Sequence, residues 1–310
     1  MSDKPLAIRA GVRTIEITRP GKQLFPSGIT KADLAGYYER AAAPMLAQVA
    51  DRPLNLERFP DGIAGHRIMQ QHASAHFPSW IARVEVGKRG GTVEHVVATQ
   101  PATLVYLAGQ GCITLHAWLS RRDRLFRPDR LIVDLDPTAD DPHAIRQAAL
   151  KVGELLRELG LRPWAMATGS RGYHLVVPLQ RRADFDQVRQ FAHDLAVLAV
   201  ARNGDTFTIE QRKAKREGRI LIDTLRNGYG HTAVAPYSVR PRPTAPVATP
   251  LHWDELSDPA TRADRWTIRT VIERLERDGD PWGRIGEDAQ TLRPARRRLA
   301  DALAELPVRA

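Results

Sequence analysis

This chain of 310 residues has a single cysteine, Cys112. One thiol excludes an internal disulfide, and it excludes a cysteine-built zinc site, which needs several. Cys112 stands in an apolar stretch and is expected to be a small core residue. No apolar run is long enough to span a bilayer, so no membrane partner is expected. The N-terminus lacks the pattern of a secretory signal, which points to a cytoplasmic protein. The chain also has no internal repeat and no low-complexity tract. Strands and helices mix without a clean βαβ rhythm, which points to an α+β core.

What is present starts with mass and charge. A hydrophobic content of 43% supports one large domain or two modest ones with a real core. Lys plus Arg number 46 against 36 for Asp plus Glu, a net charge of +10. Such a surplus suits a polyanion, most commonly nucleic acid, and it also suits a merely solubilising surface. Along the chain, alternation predicts strands at 12–17, 54–59, 81–86, 93–97, 113–119, 130–136, 163–168, 173–177 and 219–223. Helices are predicted at 30–49, capped by Thr30 and broken or kinked at Pro44, and from Pro101, at 141–159, 184–201, 266–277 and 287–303. Residues 235–250 are proline-rich and expected to be extended.

The strongest chemical signal is Leu131-Ile132-Val133-Asp134-Leu135-Asp136-Pro137. Residues two apart share a strand face, so both carboxylates point one way. Pro137 places them at the strand's end. Two close carboxylates repel, and a divalent cation relieves the repulsion by binding both. A strand ending in an Asp-Pro turn, with one Asp capping the next helix, fits the same residues. Asp223 ends a second apolar run, Ile220-Leu221-Ile222, and could complete a three-carboxylate site for two metals. A turn-capping Asp is the plainer alternative.

Thr168-Gly169-Ser170-Arg171-Gly172-Tyr173-His174 puts glycines between two strands, where amides could cradle a triphosphate. Ser170 and Arg171 add a hydroxyl and a guanidinium. A Gly-rich hairpin with a structural His fits equally. Arg240 and Arg242 alternate onto one face and could clamp phosphate, or form a solvated basic strand. His116, in Leu115-His116-Ala117-Trp118, could meet phosphate or be structural.

Taken together, PDRLIVDLDP, TGSRGYHLVVPL and IDTLRNGYGHTAVAPYSVRPRPTAPVATPLHWDEL make the chain resemble the polymerase domain of bacterial ATP-dependent DNA ligase D. That domain belongs to the archaeo-eukaryotic primase superfamily. The resemblance runs from about residue 15 to 256. It implies a primase-polymerase catalytic core around an RRM-like antiparallel sheet, with a second β-rich lobe and flanking helices. Boundaries are expected at 1–110 for an N-terminal lobe, 111–256 for a catalytic lobe and 257–310 for wrapping helices.

By resemblance, Asp134, Asp136 and Asp223 match the metal-binding acids. His116, Ser170, His174, Arg226 and Arg240 match positions lining the nucleotide pocket, with Arg171 and Arg242 beside them. ITRPGKQLFP and ITKADLAGYY resemble the end-recognition segment, in which Lys22 and Lys31 match lysines that hold a downstream 5′-phosphate. The resemblance implies two divalent ions, with manganese preferred over magnesium. It implies NTP or dNTP substrates with ribonucleotides favoured, gapped or broken DNA, and a separate DNA ligase and end-binding protein. It also implies a nucleoid-associated place in the cytoplasm.

Four positions depart from the family pattern. Ile68 and Met69 replace a common aromatic pair, Gln71 stands where lysine is common, and Thr114 stands where Glu is common. There is no recognisable ligase or nuclease module, so the chain is expected to be a stand-alone relative or an excised domain, and Met1 and the C-terminal helical pattern favour the first. Other functions for the same residues are a primase starting chains unaided, a non-catalytic end-binding module and a two-metal nuclease. Unprimed dinucleotides, repair without the acids, and shortened DNA would identify each in turn.

Overall fold

The computed structural model describes residues 4–88 and 90–307. The chain folds as two units.

The first unit gathers three separate segments, residues 1–125, 232–249 and 264–280. It opens with an antiparallel hairpin of β1 (Leu6–Ala10) and β2 (Arg13–Ile17), turned by Gly11 at positive φ. Thr30 caps α1 (Lys31–Arg40) through a capping box with Asp33. The chain then breaks at Ala41 and resumes as α2 (Ala42–Val49). The expected break was at Pro44. Pro44 has no N–H to return to Arg40, so the break falls a few residues earlier and Pro44 sits in the first turn of α2, where donors are unpaired anyway.

The sheet of this unit is built from β3 (Pro53–Arg58), β4 (Ile68–Gln70), β5 (Arg83–Lys88), β6 (Gly91–Val97) and β7 (Cys112–Trp118), with α3 (Pro101–Gly109) between the last two. Its remaining strand, β13 (Thr232–Val234), arrives from far along the chain to pair with β7. The order is β13-β7-β3-β6-β5, with β4 on β3. Buried tyrosines hold the distant segments. The Tyr38 hydroxyl donates to the Ile113 carbonyl at 2.6 Å, and Tyr37 donates to Tyr237 O at 2.7 Å. Cys112 is fully buried beside them, as expected, and burial pushes its thiol up to about 12.

The second unit comprises residues 126–231, 250–263 and 281–310. Its strands are β8 (Arg130–Asp136), β9 (Trp164–Ala167), β10 (Tyr173–Pro178), β11 (Phe207–Thr208), β12 (Ile220–Asp223) and β14 (Thr249–Leu251). They lie in the order β11-β12-β8-β10-β9-β14. β8, β9, β10 and β12 pair antiparallel, and β11 joins β12 in parallel. Two helices, α4 (Pro142–Glu158) capped by Asp141 and α5 (Phe185–Arg202) capped by Asp184, pack on β8. They cover its inward residues Leu131, Val133 and Leu135, each 0% exposed. That burial is worth about 2 kcal/mol per side chain. Alternation then turns Asp134 and Asp136 to the other face.

The C-terminal helices start later than the sequence suggested. The short α6 (Trp253–Ser257) is followed by α7 (Val271–Asp278), which belongs to the first unit, and α8 (Arg293–Ala304), which belongs to the second. α8 begins just before Pro294, a residue that suits a first turn and not an interior. The α+β expectation therefore holds in its sheets and helices. The unit boundaries differ from continuous lobes ending at 110 and 256, because both units recruit returning segments. No helix among the described residues is long and apolar enough to cross a membrane.

Candidate active site

Strand register assembles the carboxylates. In the second unit, β10 sets His174 opposite Asp134, and β12 sets Asp223 opposite Asp134 on its other side. A row of His174, Asp134 and Asp223 thus crosses three strands, with Asp136 two residues along the same face. Directly opposed carboxylates destabilise a sheet unless cations intervene. His174 Nε2 lies 3.4 Å from Asp134 Oδ1, and Arg226 Nε donates to Asp134 Oδ2 at 3.2 Å. Arg226 also lies 3.8 Å from Asp223.

These neighbours set the acidities. Burial raises the Asp134 carboxyl, but His174 and Arg226 outweigh it and hold the group at about 2. Asp223 moves upward. Burial is the main cause, and the charges of Asp134 and Asp136 add to it against a hydrogen bond from the Leu225 amide. Arg226 was expected in the nucleotide pocket, and here it bridges two of the acids. It is carried on a 3-10 turn (Leu225–Asn227) pinned by Asn227, whose amide exchanges hydrogen bonds of 2.7 and 2.9 Å with the Ile132 backbone.

Asp136 has a partner that the sequence did not signal. Arg216 is buried and donates to Asp136 Oδ2 at 2.9 Å, while its other nitrogens bind the carbonyls of Glu210 and Gln211. A pair 80 residues apart in a basic loop leaves no local pattern. Arg171 approaches Asp136 more loosely, at 3.9 Å.

The turn carrying Ser170 and Arg171 is a tight hairpin. The Thr168 amide and hydroxyl both donate to Gly172 O. Gly169, at φ +65°, gives its amide to Ala263 O at 3.0 Å. That amide was expected to be exposed to a phosphate and is instead committed to the fold. His174 is 3% exposed, and its Nδ1 has no partner among the described residues.

Three aspartates on adjoining strands offer hard oxygen ligands, the chemistry that magnesium or manganese takes. Burial is the main cause of the upward shift of Asp223, and a cation would offset only the smaller part that the charges of Asp134 and Asp136 add. The donor chemistry, though not the present arrangement of the side chains, suits a divalent ion. Among the described residues no group of three or more His, Cys, Asp or Glu side chains stands where it could hold a metal ion. Arg226, Arg216 and His174 stand on the carboxylate oxygens instead.

The first unit holds the remaining predicted residues. His116 on β7 places Nε2 3.1 Å from Glu57 on β3, and Arg67 Nε lies 2.7 Å from the same carboxylate. Burial opposes ionisation of Glu57, but His116, Arg67 and Arg240 together lower its pKa below 4.5. Glu57 is therefore the residue that gathers His116 and Arg67, and it was not singled out from sequence.

Arg240 and Arg242 do not alternate along a strand. The Arg242 amide donates to Arg240 O and the Ala245 amide to Arg242 O, which makes the segment a turn. Proline at 241 and 243 excludes a ladder there. Thr114, at the position where Glu is common, donates to Val239 O at 2.6 Å and fixes the approach to this turn.

Lys22 and Lys31 come together because the Lys31 amide donates to Lys22 O. Lys22 Nζ pairs with Asp61 at 2.6 Å, and the largely buried Lys31 ammonium donates to Thr18 O at 2.7 Å. Met69, which replaces an aromatic, is 48% exposed on β4.

Glu57→Gln provides a pH test of the first-unit cluster. A carboxyl with a lowered folded pKa stabilises above its unfolded pKa and loses that contribution as pH falls through the folded value. The variant is expected to be less stable by about 1–3 kcal/mol at neutral pH. In urea melts, the gap from wild type should shrink below pH 4.5.

Strand register thus gathers three carboxylates, His174 and two arginines on one face of this sheet. The chain matches the family LigD, primase-polymerase domain over residues 30–282 and belongs to it. It is accordingly a nucleotidyltransferase of the primase-polymerase type. The chain is 33% identical over 296 residues to the multifunctional non-homologous end joining protein LigD of Pseudomonas aeruginosa, covering 94% of this chain and 35% of that protein. Similarity to the bifunctional non-homologous end joining protein LigD of Bacillus subtilis is 28% over 256 residues, covering 82% and 41%. The chain thus spans about a third of the length of its first relatives. Among solved structures, it is similar to the polymerase domain from Mycobacterium tuberculosis ligase D in complex with DNA, with TM-score 0.83 and 29% identity over 89% of this chain and 99% of that one.

Proposed function

We propose that this protein is a divalent-metal-dependent, template-directed polymerase that fills short gaps or extends broken DNA ends in repair, favouring ribonucleotides. The observation that carries this reading is the register of β10, β8 and β12, which sets Asp134 between His174 and Asp223 with Asp136 on the same face. The names of its relatives, end joining proteins, and the DNA bound by its solved neighbour support the same reading.

Asp134, Asp136 and Asp223 would hold two divalent ions, with manganese preferred. Bound there, the ions supply charge neutralisation for the triphosphate and a lowered pKa for the primer 3′-hydroxyl. Ser170, Arg171, His174 and Arg226 grip the incoming nucleotide from the second unit. Arg226 keeps Asp134 ionised until then. In the first unit, His116, Arg240 and Arg242 bind phosphate. A separate DNA ligase and an end-binding protein complete the repair.

Lys22 and Lys31 take the downstream 5′-phosphate. The exposed Asp61 now paired with Lys22 is displaced at small cost, because surface ion pairs are weak. Wild type should prefer a gap with a 5′-phosphate, and Lys22→Ala/Lys31→Ala should bind both gaps equally. A wild type without preference removes the assignment.

The polymerase reading is tested by primer extension on a gapped, 5′-phosphorylated duplex with manganese, comparing ribonucleotides with deoxyribonucleotides. Extension favouring ribonucleotides is expected. A folded, DNA-binding protein that adds no nucleotide would instead be an end-binding module.

A further inference from the structure

At the end of β8 opposite the carboxylates, the second unit has a concavity of about 530 Å³ with a basic lining. Leu179, Gln180 and Arg182 line one side, and Gln290, Arg293, Arg296 and Arg297 are among the residues lining the rest. The Leu179 amide donates to Asp129 O, just before β8 begins. The seven residues of β8 then separate this concavity from Asp136 by about 20 Å. It is therefore not part of the acidic site.

The guanidiniums of Arg182, Arg293, Arg296 and Arg297 make no ion pair or hydrogen bond among the described residues, and all four residues are exposed. Three of them fall in the first five residues of α8, whose first turn carries no acid. Cations at a helix N-terminus oppose its dipole. A cluster placed against both mutual repulsion and the helix dipole is relieved by an anion.

A second feature adjoins it. Phe126 is 66% exposed and stacks on Tyr229 with ring centroids 5.0 Å apart and planes within 8°. Phe185, the first residue of α5, meets Tyr229 edge-on at 5.6 Å. Arg127, next to Phe126, donates to Arg182 O at 2.9 Å, which ties the aromatic stack to the concavity. An exposed ring costs solvation that a stacked base would recover. A row of arginines beside an aromatic platform is what a single strand requires, with the backbone following the charge and a base lying on the ring. A duplex presents no free base face, and an acidic peptide has no use for the stack.

We propose that this face is a second, non-catalytic binding site for single-stranded DNA, in which a base stacks on Phe126 and the adjoining phosphates enter the arginine concavity. It deepens the DNA-repair reading above by assigning a place for an unpaired overhang remote from the acids.

The test uses the full chain and a fluorescent oligothymidine, followed by anisotropy across a salt series. Arg293→Glu/Arg296→Glu/Arg297→Glu should weaken binding more than tenfold. It should also flatten the slope of log K against log salt by about 2, at about 0.7 per lost phosphate contact. Acids at these positions suit the helix N-terminus, so a loss is not explained by unfolding of α8. Phe126→Ala should weaken binding at least about fivefold with the slope unchanged.

Iodouridine crosslinks should map to the peptide containing Phe126. Unaltered affinity and slope in the triple variant would overturn the site, as would crosslinks confined to other peptides. Competition by polyglutamate as strong as by oligothymidine, with Phe126→Ala silent, would reassign the face to acidic polypeptide and overturn it too. Extension on a gapped duplex by the same variants reports the polymerase reading separately, because the acids are untouched.

Discussion

Asp134→Asn is expected to reduce primer extension roughly a thousandfold or more while leaving the protein folded. The substitution keeps the shape of the side chain and removes one charge. That charge has the shortest list of substitutes. Asp134 is central in the row formed with His174 and Asp223, and its carboxyl is held at about 2, so it is ionised throughout any working range. Losing it would remove a metal ligand, and several kcal/mol of charge stabilisation at the reacting phosphate corresponds to three or more decades in rate.

A near-neutral amide also leaves Arg226 with Asp223 alone, at 3.8 Å, and leaves buried His174 without its carboxylate. A modest fall in stability is expected, visible in a urea melt, with the near-UV spectrum retained. Extension that survives in a folded Asp134→Asn protein would remove the acids from the chemistry. DNA that shortens in wild type and not in the variant would assign the same acids to a nuclease.

Gly172→Ala should cost roughly 2–3 kcal/mol and reduce extension more than tenfold, although it adds one methyl group. The backbone at Gly172 does not have a positive φ, so conformational freedom is not the reason for glycine. The reason is proximity. A Cβ there would fall within the Leu135 carbonyl oxygen, a backbone atom of the strand between Asp134 and Asp136. Either β8 or the hairpin must move. The hairpin is held by two hydrogen bonds from Thr168 to Gly172 O, so the strain reaches both Arg171 and the acids. Gly87→Ala makes a useful comparison, because nothing lies within 4 Å of the Cβ it would add. If Gly172→Ala matched it in stability and activity, the close approach would carry no functional weight.

The parts legible in the sequence were those governed by short periods. An apolar run ending in Asp-x-Asp-Pro fixes strand, face and terminus together, and β8 appears with the expected bounds. Thr30 was legible as a cap, and the helices expected to begin at Asp141 and Asp184 do begin there, with those two residues as their caps. Features set by distant partners were not legible. Arg216 reaches Asp136 across a loop, and Glu57 collects His116 and Arg67 from neighbouring elements. The amide of Gly169 looked free until Ala263 O, 94 residues on, accepted it. The two arginines around Pro241 looked like a strand, and consecutive turn bonds make them a bend.

The interleaved segments of the two units bear on how a ribosome can deliver this fold. Unit one needs β13 and α7, and unit two needs α8 and residues 250–263. Strand β7 thus emerges more than a hundred residues before its edge partner β13. Tyr38 likewise waits for the Val239 amide that donates to its hydroxyl, 201 residues later. Vectorial synthesis cannot finish one unit and then begin the next. Both stay open, with unpaired strand edges, until the last fifth of the chain is made, when they close in quick succession. A nascent chain stalled near residue 256 should therefore be protease-sensitive throughout, in contrast to a protein built as beads on a string.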